Sequence, residues 1–173
     1  MDERPEHEQF FWDPPTVAHL ADFVSAFPNP CCLCAPLLGR ELERRGVEVR
    51  TLDADRRFAD LHGFREWNLY RPEWLGEEYG IIVCDPPFFG VSLSQLFTAT
   101  RLLSRHDYGQ PLLICYLARR AANIQGTFCQ FSLQPTGYEP GYISVQDLDR
   151  NRIEFFSNLG AECSLKLAKG AGQ

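Results

Sequence analysis

The stretch VCDPPFFG combines residue types that could hold a primary amine for reaction. The carboxylate of Asp85 can accept one N–H of the amine and the carbonyl of Pro86 the other, while Pro86 and Pro87 fix the direction of that carbonyl. Phe88 offers a flat face for a stacked base, worth about 1–3 kcal/mol, and Phe89 can form a wall of the same cleft. Two acceptors directed at one –NH₂ group leave its lone pair facing an electrophile. The alternative is a proline-terminated strand with a core phenylalanine.

Acidic residues and a proline also follow two other apolar stretches. Asp53 and Asp55 end an alternating stretch, and Ala35 and Pro36 follow the run CCLC. An acid after the second strand of an α/β sheet commonly accepts hydrogen bonds from a ribose, although a solvated turn has the same pattern. The turn CAPLLG has one glycine, Gly39, which argues against the glycine-rich phosphate cradle of dinucleotide and ATP enzymes. A nucleoside cofactor without phosphate needs fewer glycines.

The elements that must position these residues alternate between strands and helices. Pro86 and Pro87 cannot extend a sheet, so they end the strand before them. Helices are predicted for residues 16–27, 37–46, 92–105 and 119–127, and strands for residues 31–36, 47–55, 79–87, 111–118, 128–133 and 152–158. This alternation predicts an α/β sandwich with a mainly parallel sheet, and the two late strands predict an antiparallel edge. The unusual strand ends would then face one side of the molecule, where such sheets bind ligands.

Length and charge limit the class of protein. A chain of 173 residues with 45% hydrophobic and 23% charged residues is expected to form one globular domain over residues 1–173. The formal net charge of -6 argues against a protein that coats nucleic acid by charge alone. Residues 1–90 contain 9 Lys and Arg against 17 Asp and Glu, and the remaining residues contain 8 against 6. A polyanion would therefore approach the second half more easily.

The leader and the cysteines indicate the compartment. The acidic start MDERPEHEQFFW has no apolar core, so no signal peptide is predicted. No apolar run approaches the roughly 20 residues that cross a bilayer, so no membrane association is expected. Five of the seven cysteines lie in apolar runs, which predicts reduced thiols in a cytoplasmic protein. The run CCLC is predicted to be a buried strand and not a metal site.

The stretch DPPF resembles motif IV, D/N-P-P-F/Y/W, of amino-methyltransferases with the class I S-adenosylmethionine-dependent fold. The whole chain is similar to the small N(6)-adenine methyltransferase-like family, which also includes lysine methyltransferases of elongation factor 1A. Four further stretches carry the likeness: EQFFW at 8–12, CAPLLGREL at 34–42, LDADRRF at 52–58 and EFFSN at 154–158. The resemblance implies a Rossmann-like, three-layer fold with a mostly parallel seven-stranded sheet and an antiparallel C-terminal edge.

The resemblance also implies a role for each matching residue. S-adenosylmethionine would lie across the strand ends, with its ribose held by Asp53 or Asp55 and its methionine part by the backbone near Ala35 and Pro36. Residues 1–15 would form an N-terminal active-site segment that closes over the site. Further implied cofactor contacts are Gln9, Phe10, Phe11, Trp12, Phe58 and Asp85. Implied catalytic residues are Asp85, Pro86, Pro87 and Phe88, and implied substrate contacts are Phe88, Phe89 and Asn158.

These residues leave the acceptor amine open. The exocyclic N(6) amine of adenine in DNA or RNA is favoured, because a base needs the stacking face of Phe88 more than lysine does. A lysine ε-amine in a translation factor suits the acidic surface, and the missing glycines suit an inactive fold that serves as a partner subunit. A partner subunit could also supply target recognition. Arginines that could contact phosphates are Arg101, Arg105, Arg119, Arg120, Arg150 and Arg152.

Overall fold

A seven-stranded sheet organises the part of the chain that the computed structural model describes, residues 1–145 and 152–170. Its strands are β1 (Cys31–Leu33), β2 (Arg50–Asp53), β3 (Phe64–Glu66), β4 (Ile82–Cys84), β5 (Leu112–Leu117), β6 (Gln134–Pro135) and β7 (Ile153–Ser157). The strand order is β3-β2-β1-β4-β5-β7-β6. The first five strands are parallel, and β7 runs antiparallel to β5 and β6. The predicted mostly parallel sheet with an antiparallel C-terminal edge is confirmed.

Helices cover both faces of the sheet. They are α1 (Pro14–Val24), α2 (Pro36–Arg44), α3 (Leu93–Leu103), α4 (Ala121–Thr127) and α5 (Ala161–Lys169). Side-chain caps define where two of them begin: Asp13 accepts a hydrogen bond from the Thr16 N–H, and Ser92 accepts one from the Gln95 N–H. α1 packs against α2, and α3 packs against α4. Within residues 1–145 and 152–170, no helix has the length and apolar character needed to cross a membrane.

The central strands are buried along their whole length. Every residue of β1, β4, β5 and β7 is buried, which explains why these strands are apolar runs without alternation. Cys31, Cys32 and Cys115 lie in this core as free thiols. Burial raises the pKa of the Cys32 thiol, so it stays protonated. In the described part of the chain, no group of three or more His, Cys, Asp or Glu side chains could hold a metal ion.

The strand predicted for residues 128–133 was wrong. After α4, the chain forms a 3-10 turn at Cys129–Phe131 instead. Phe128 and Phe131 are three residues apart, so both rings face the same side of a helical turn. They pack against Phe97 of α3, with ring centroids 5.4 and 5.9 Å away. The additional outer strand is β6, which has only two residues. Two residues are too few to show the alternation of apolar and polar residues that predicts a strand.

The N-terminal segment, residues 1–13, pairs with the loop before β7. The Asp13 N–H donates to the Gly141 carbonyl at 2.9 Å, and the Ile143 N–H donates to the Phe11 carbonyl at 2.9 Å. Trp12 and Tyr142 form an antiparallel bridge between these two bonds. The segment is therefore held as one strand of a short ribbon beside the sheet.

Candidate active site

A cavity of about 700 Å³ opens at the carboxyl ends of the parallel strands. Its wall includes Cys34 after β1, Asp53 of β2, Asp85 after β4 and Leu117 of β5. Its volume lies within the range of about 300–1,000 Å³ that is usual for small-molecule sites. The predicted site residues that line it are Gln9, Phe10, Phe11, Pro36, Asp53, Asp55, Asp85, Pro86, Pro87, Phe88 and Phe89. The convergence of strand ends on one side is thus present in the structure.

Asp85 is held at the strand end by the chain and by a tyrosine. Its N–H donates to the Leu33 carbonyl at 3.2 Å, which continues the pairing of β4 with β1 by one residue. Its Oδ1 accepts a hydrogen bond from the Tyr142 hydroxyl at 2.8 Å, and the same hydroxyl lies 3.4 Å from the Cys115 Sγ. Burial raises the pKa of Asp85 to about 8, although the hydrogen bonds from Tyr142 and Cys115 oppose the shift. The carboxyl group can therefore titrate near neutral pH.

Phe88 and Phe89 face different surroundings. Phe88 is half-buried and packs edge-to-face against Tyr116, with ring centroids 5.7 Å apart. Its ring thereby forms a fixed wall of the cavity. Phe89 is 68% exposed, and its N–H donates to the Glu8 carboxylate at 2.9 Å. The Tyr70 hydroxyl donates to the carbonyl of the next residue, so the loop is anchored on both sides of the exposed ring.

The two acids near the end of β2 have different partners. Asp55 accepts hydrogen bonds from the Gln9 amide at 2.9 Å and from the Arg57 guanidinium. Although burial acts to raise the pKa of Asp55, these bonds hold it well below the usual range. Asp53 accepts a hydrogen bond from the Asp55 N–H at 2.8 Å, and burial raises its pKa to about 6. No side chain in the described parts donates to Asp53, so its carboxylate is available on the cavity wall.

A model of the family described as "Probable N6-adenine methyltransferase" matches residues 3–159. The chain belongs to this family. It is accordingly an S-adenosylmethionine-dependent methyltransferase, as the motif resemblance predicted. No curated protein sequence matches the chain.

Solved structures with the same fold are distant in sequence. A "putative RNA methyltransferase" from Pyrococcus horikoshii is similar with a TM-score of 0.64 at 12% identity, over 90% of this chain and 88% of that one. A TehB-like SAM-dependent methyltransferase from Corynebacterium glutamicum gives a TM-score of 0.55 at 13% identity, over 84% of this chain and 88% of that one. These likenesses show the class I methyltransferase fold.

The turn after β1 of this methyltransferase has no glycine cradle and fits a cofactor without phosphate. Cys34 adopts the left-handed conformation with φ of 54°, a position that glycine often fills. Pro36 begins α2 directly afterwards. Gly39 lies further along α2, where an added Cβ would come within 2.0 Å of the Thr51 Oγ1. Gly39 therefore allows the helix to pack closely on β2 and does not contact a ligand.

Asn158, predicted as a substrate contact of the methyltransferase, lies at the opposite edge of the sheet. Its side chain accepts a hydrogen bond from the Leu112 N–H at 2.9 Å and donates to the Gln110 carbonyl at 2.8 Å. Because β7 is antiparallel, its carboxyl end meets the amino end of β5. Asn158 therefore joins these two strand ends and is far from the cavity, which corrects the prediction.

Three predicted cofactor contacts have buried side chains that do not line the cavity. Trp12 is 3% exposed and packs against Phe155 of β7, with ring centroids 5.5 Å apart. Phe58 is fully buried and meets Phe11 edge-to-face at 6.0 Å. Ala35 is buried at the start of α2. The side chains of Trp12 and Phe58 belong to the core and not to the cavity wall, which corrects their assignment as direct contacts. Ala35 was predicted to act through its backbone, which lies between Cys34 and Pro36 of the cavity wall.

Tyr142 is a site residue that the sequence pattern did not reveal. It lies in the Pro- and Gly-rich stretch QPTGYEPGYIS, where no hydrophobic period distinguishes one tyrosine from the next. The pairing of its backbone with Trp12 turns its hydroxyl towards Asp85. Only the density of aromatic residues in this loop could have drawn attention to it.

Tyr142→Phe is expected to move the pH dependence of methyl transfer to higher pH. The sequence predicts that the ionised Asp85 accepts the amine, and the Tyr142 hydroxyl favours that ionised form by donating to it. Loss of a hydrogen bond to a charged group, worth about 1.5–3 kcal/mol, should raise the midpoint by about one pH unit or more. The measurement is kcat/KM as a function of pH, with Tyr108→Phe, a tyrosine packed on Phe131, as the control. An unchanged midpoint in Tyr142→Phe would contradict this role.

Proposed function

We propose that this methyltransferase transfers a methyl group to the exocyclic N(6) amine of adenine in DNA or RNA. The supporting observation is that Asp85 and Phe88 line the same cavity. One can accept an amine N–H, and the other presents an aromatic ring held by Tyr116. A base that leaves its stack needs both an acceptor for its Watson–Crick edge and a face to stack against. The family description agrees with this acceptor.

The reaction needs little from the protein beyond orientation. S-adenosylmethionine, when bound, supplies an electrophilic methyl group on its sulfonium. Asp85 accepts one N–H of the amine and the Pro86 carbonyl accepts the other, so the nitrogen lone pair points away from both. As the N–C bond forms, the C–S bond breaks, and positive charge that develops on the nitrogen is stabilised by Asp85. The extra proton then leaves the nitrogen for the Asp85 carboxylate or for water.

Asp53 is proposed to hold the ribose, and the backbone from Cys34 to Pro36 the methionine part. Asp53 ends β2 and its carboxylate lies on the cavity wall. Asp55 is already engaged by Arg57 and Gln9, so it anchors the N-terminal segment instead. This assignment separates two acids that the sequence left equivalent.

Asp53→Ala is expected to weaken cofactor binding more than Asp55→Ala does. Hydrogen bonds to a charged group are worth about 1.5–3 kcal/mol, so losing the ribose acceptor should reduce affinity about 10-fold or more. Asp55→Ala should instead loosen the Gln9 and Arg57 contacts. Calorimetric titration with S-adenosylhomocysteine, the demethylated form of the cofactor, measures the affinity of both variants. Equal affinities for the wild type and Asp53→Ala would remove Asp53 from the ribose site.

Protein lysine is the second candidate acceptor. Glu6 and Glu8 line the cavity, and their charge would attract a cationic side chain. Both acceptors are primary amines, so motif IV serves either one. A partner subunit that supplies target recognition is compatible with both.

A labelling experiment separates the two acceptors. The protein is incubated with a cell lysate and S-adenosylmethionine that carries a radioactive methyl group. Nuclease digestion should release the label as N(6)-methyladenosine or its deoxy form, whereas protease digestion should not release it. Asp85→Ala provides the background. Label recovered only as methylated lysine would overturn the adenine proposal and favour the second candidate.

A further inference from the structure

The arginines that could contact phosphates divide between two edges of the molecule. Arg119 and Arg120 belong to the turn Ala118–Arg120, which directly follows β5 at the cavity edge. Arg152 is beside them, because its carbonyl accepts the Ala118 N–H at 2.8 Å. Arg105 follows the end of α3, where it pairs with Glu78 at 2.7 Å. Arg150 lies outside the described residues.

Arg120 is linked to the wall of the active site through one ring. Its guanidinium lies 5.5 Å from the centroid of Tyr116 and donates to the Tyr116 hydroxyl at 2.9 Å. Tyr116 in turn packs against Phe88. Five N–H donors in a planar fork leave Arg120 able to bind an anion while it keeps the tyrosine contact. A phosphate close to the target base would meet this guanidinium.

Phe89, which follows Phe88 on the cavity wall, provides an exposed stacking face. The ring of Phe89 is 68% exposed, while the Phe89 N–H and the carbonyl of the next residue are both held by hydrogen bonds. Glu8 and Tyr70 hold the loop, so the ring is presented to solvent in one place. Tyr70 is itself 61% exposed and lines the mouth of the same cavity. A base can stack on such a ring only if its face is free, and bases inside a duplex have no free face.

We propose that an unpaired, single-stranded segment of the substrate crosses the cavity mouth. Its phosphates contact Arg119 and Arg120, and the base next to the target adenine stacks on Phe89. This inference rests on the proposed adenine acceptor and names the form of nucleic acid that the site takes. The acidic Glu8 lies on the Phe89 side, where the base and not the phosphate is placed. Arginine on one side and an aromatic ring on the other are the usual components of a single-strand site.

Salt dependence of binding tests the phosphate contacts. The probe is a fluorescein-labelled single-stranded RNA of about 12 uridines with a central adenosine, a length within the range that single-strand binding folds cover. Its affinity is measured by anisotropy between about 50 and 200 mM salt. The slope of log K against log salt is negative, and each lost phosphate contact should reduce its magnitude by about 0.7. Arg119→Gln and Arg120→Gln should each show this change. Arg105→Gln, which removes the same charge from the opposite edge, should not.

Further variants at Arg120 and Phe89 distinguish the loss of a charge or a stacking ring from a loss of folding. Arg120→Lys retains the charge and should retain the slope, whereas a merely structural Arg120 would make Lys and Gln equally harmful. Phe89→Ala should weaken binding about 10-fold, in line with stacking energies of about 1–3 kcal/mol, and Phe89→Trp should restore it. An abasic site on each side of the adenosine should weaken wild-type binding and leave Phe89→Ala unaffected. Thermal melting confirms that each variant is folded.

The outcomes distinguish this inference from the proposed function. Slopes that stay unchanged in both glutamine variants, or equal affinity for the same RNA paired with its complement, would overturn the single-strand surface. If label still enters adenine in that case, the proposed function stands. If the label enters only protein, the proposed function fails and this inference fails with it. A DNA version of the probe shows which sugar the surface prefers.

Discussion

Asp85→Ala is expected to lower the rate of methyl transfer by a factor of about 100 or more, by analogy with other preorganised polar contacts. In the proposed mechanism, this side chain accepts the amine and faces the charge that develops on nitrogen. Alanine at this position would also remove the acceptor of the Tyr142 hydroxyl, which then keeps the contact with the Cys115 Sγ at 3.4 Å. Single-turnover transfer with radioactive S-adenosylmethionine measures the loss, and calorimetry shows that the cofactor still binds. Transfer at the wild-type rate would show that Asp85 does not hold the amine.

The same substitution should not weaken the fold at neutral pH. Burial raises the pKa of Asp85 to about 8, so the folded state prefers the protonated carboxyl group. This preference stabilises the fold fully only below the pKa that Asp85 has in the unfolded chain. Its contribution to the free energy of unfolding is lost as the pH rises towards about 8. Removing the carboxyl group removes that pH dependence. Asp60→Ala, which deletes an exposed acid paired with Arg40, is the matched control for charge.

Trp12→Ala is expected to reduce the free energy of unfolding by about 3–5 kcal/mol, the usual cost of removing a large buried ring. Trp12 packs against Phe155 in the main core, and its backbone bridges to Tyr142. The loss should therefore appear as a lower denaturation midpoint and as slower transfer. Urea denaturation measures the first effect. Trp74→Ala, a tryptophan that is 46% exposed, is the control and should change stability much less.

Trp12→Phe separates packing from polar contacts. No hydrogen-bond partner for the indole N–H occurs within the described residues, so phenylalanine loses volume alone. We expect it to recover most of the stability that alanine loses. A small effect of Trp12→Ala, below about 1 kcal/mol, would show that the packing of this ring on Phe155 contributes little to the stability of the fold.

Local motifs made the centre of the site predictable. Asp85 and Phe88 follow an apolar strand within a few residues, so their position at a sheet edge could be inferred from the amino-acid pattern alone. Asp53 was placed at the same edge for the same reason, but its proposed distinction from Asp55 needed the contacts of Arg57. Asn158 was misplaced although an antiparallel edge was predicted, because the resemblance assigned it to the site, whereas the last residue of an antiparallel strand meets the opposite edge of the sheet.

Contacts between distant parts of the chain were not predictable. Tyr142 reaches Asp85 only because its loop pairs with the N-terminal segment. The spacing of apolar residues within either segment does not indicate this pairing. Trp12 was taken for a cavity residue because aromatic residues in a polar leader look the same whether they cover a ligand or enter a core. The single-strand surface likewise depends on Tyr116, which connects Arg120 to Phe88 across separate elements.

The ribbon between residues 11–13 and residues 141–143 also has a consequence for synthesis. The Gly141 N–H donates to the Thr16 hydroxyl across 125 residues of sequence. Contacts between residues so far apart close late in folding, because the entropy of the intervening loop is lost before they form. A nascent chain therefore carries motif IV long before Tyr142 leaves the ribosome, and until then Trp12 has neither Phe155 nor the loop to cover it. Competence for methyl transfer should appear only after Phe155 has emerged from the ribosome.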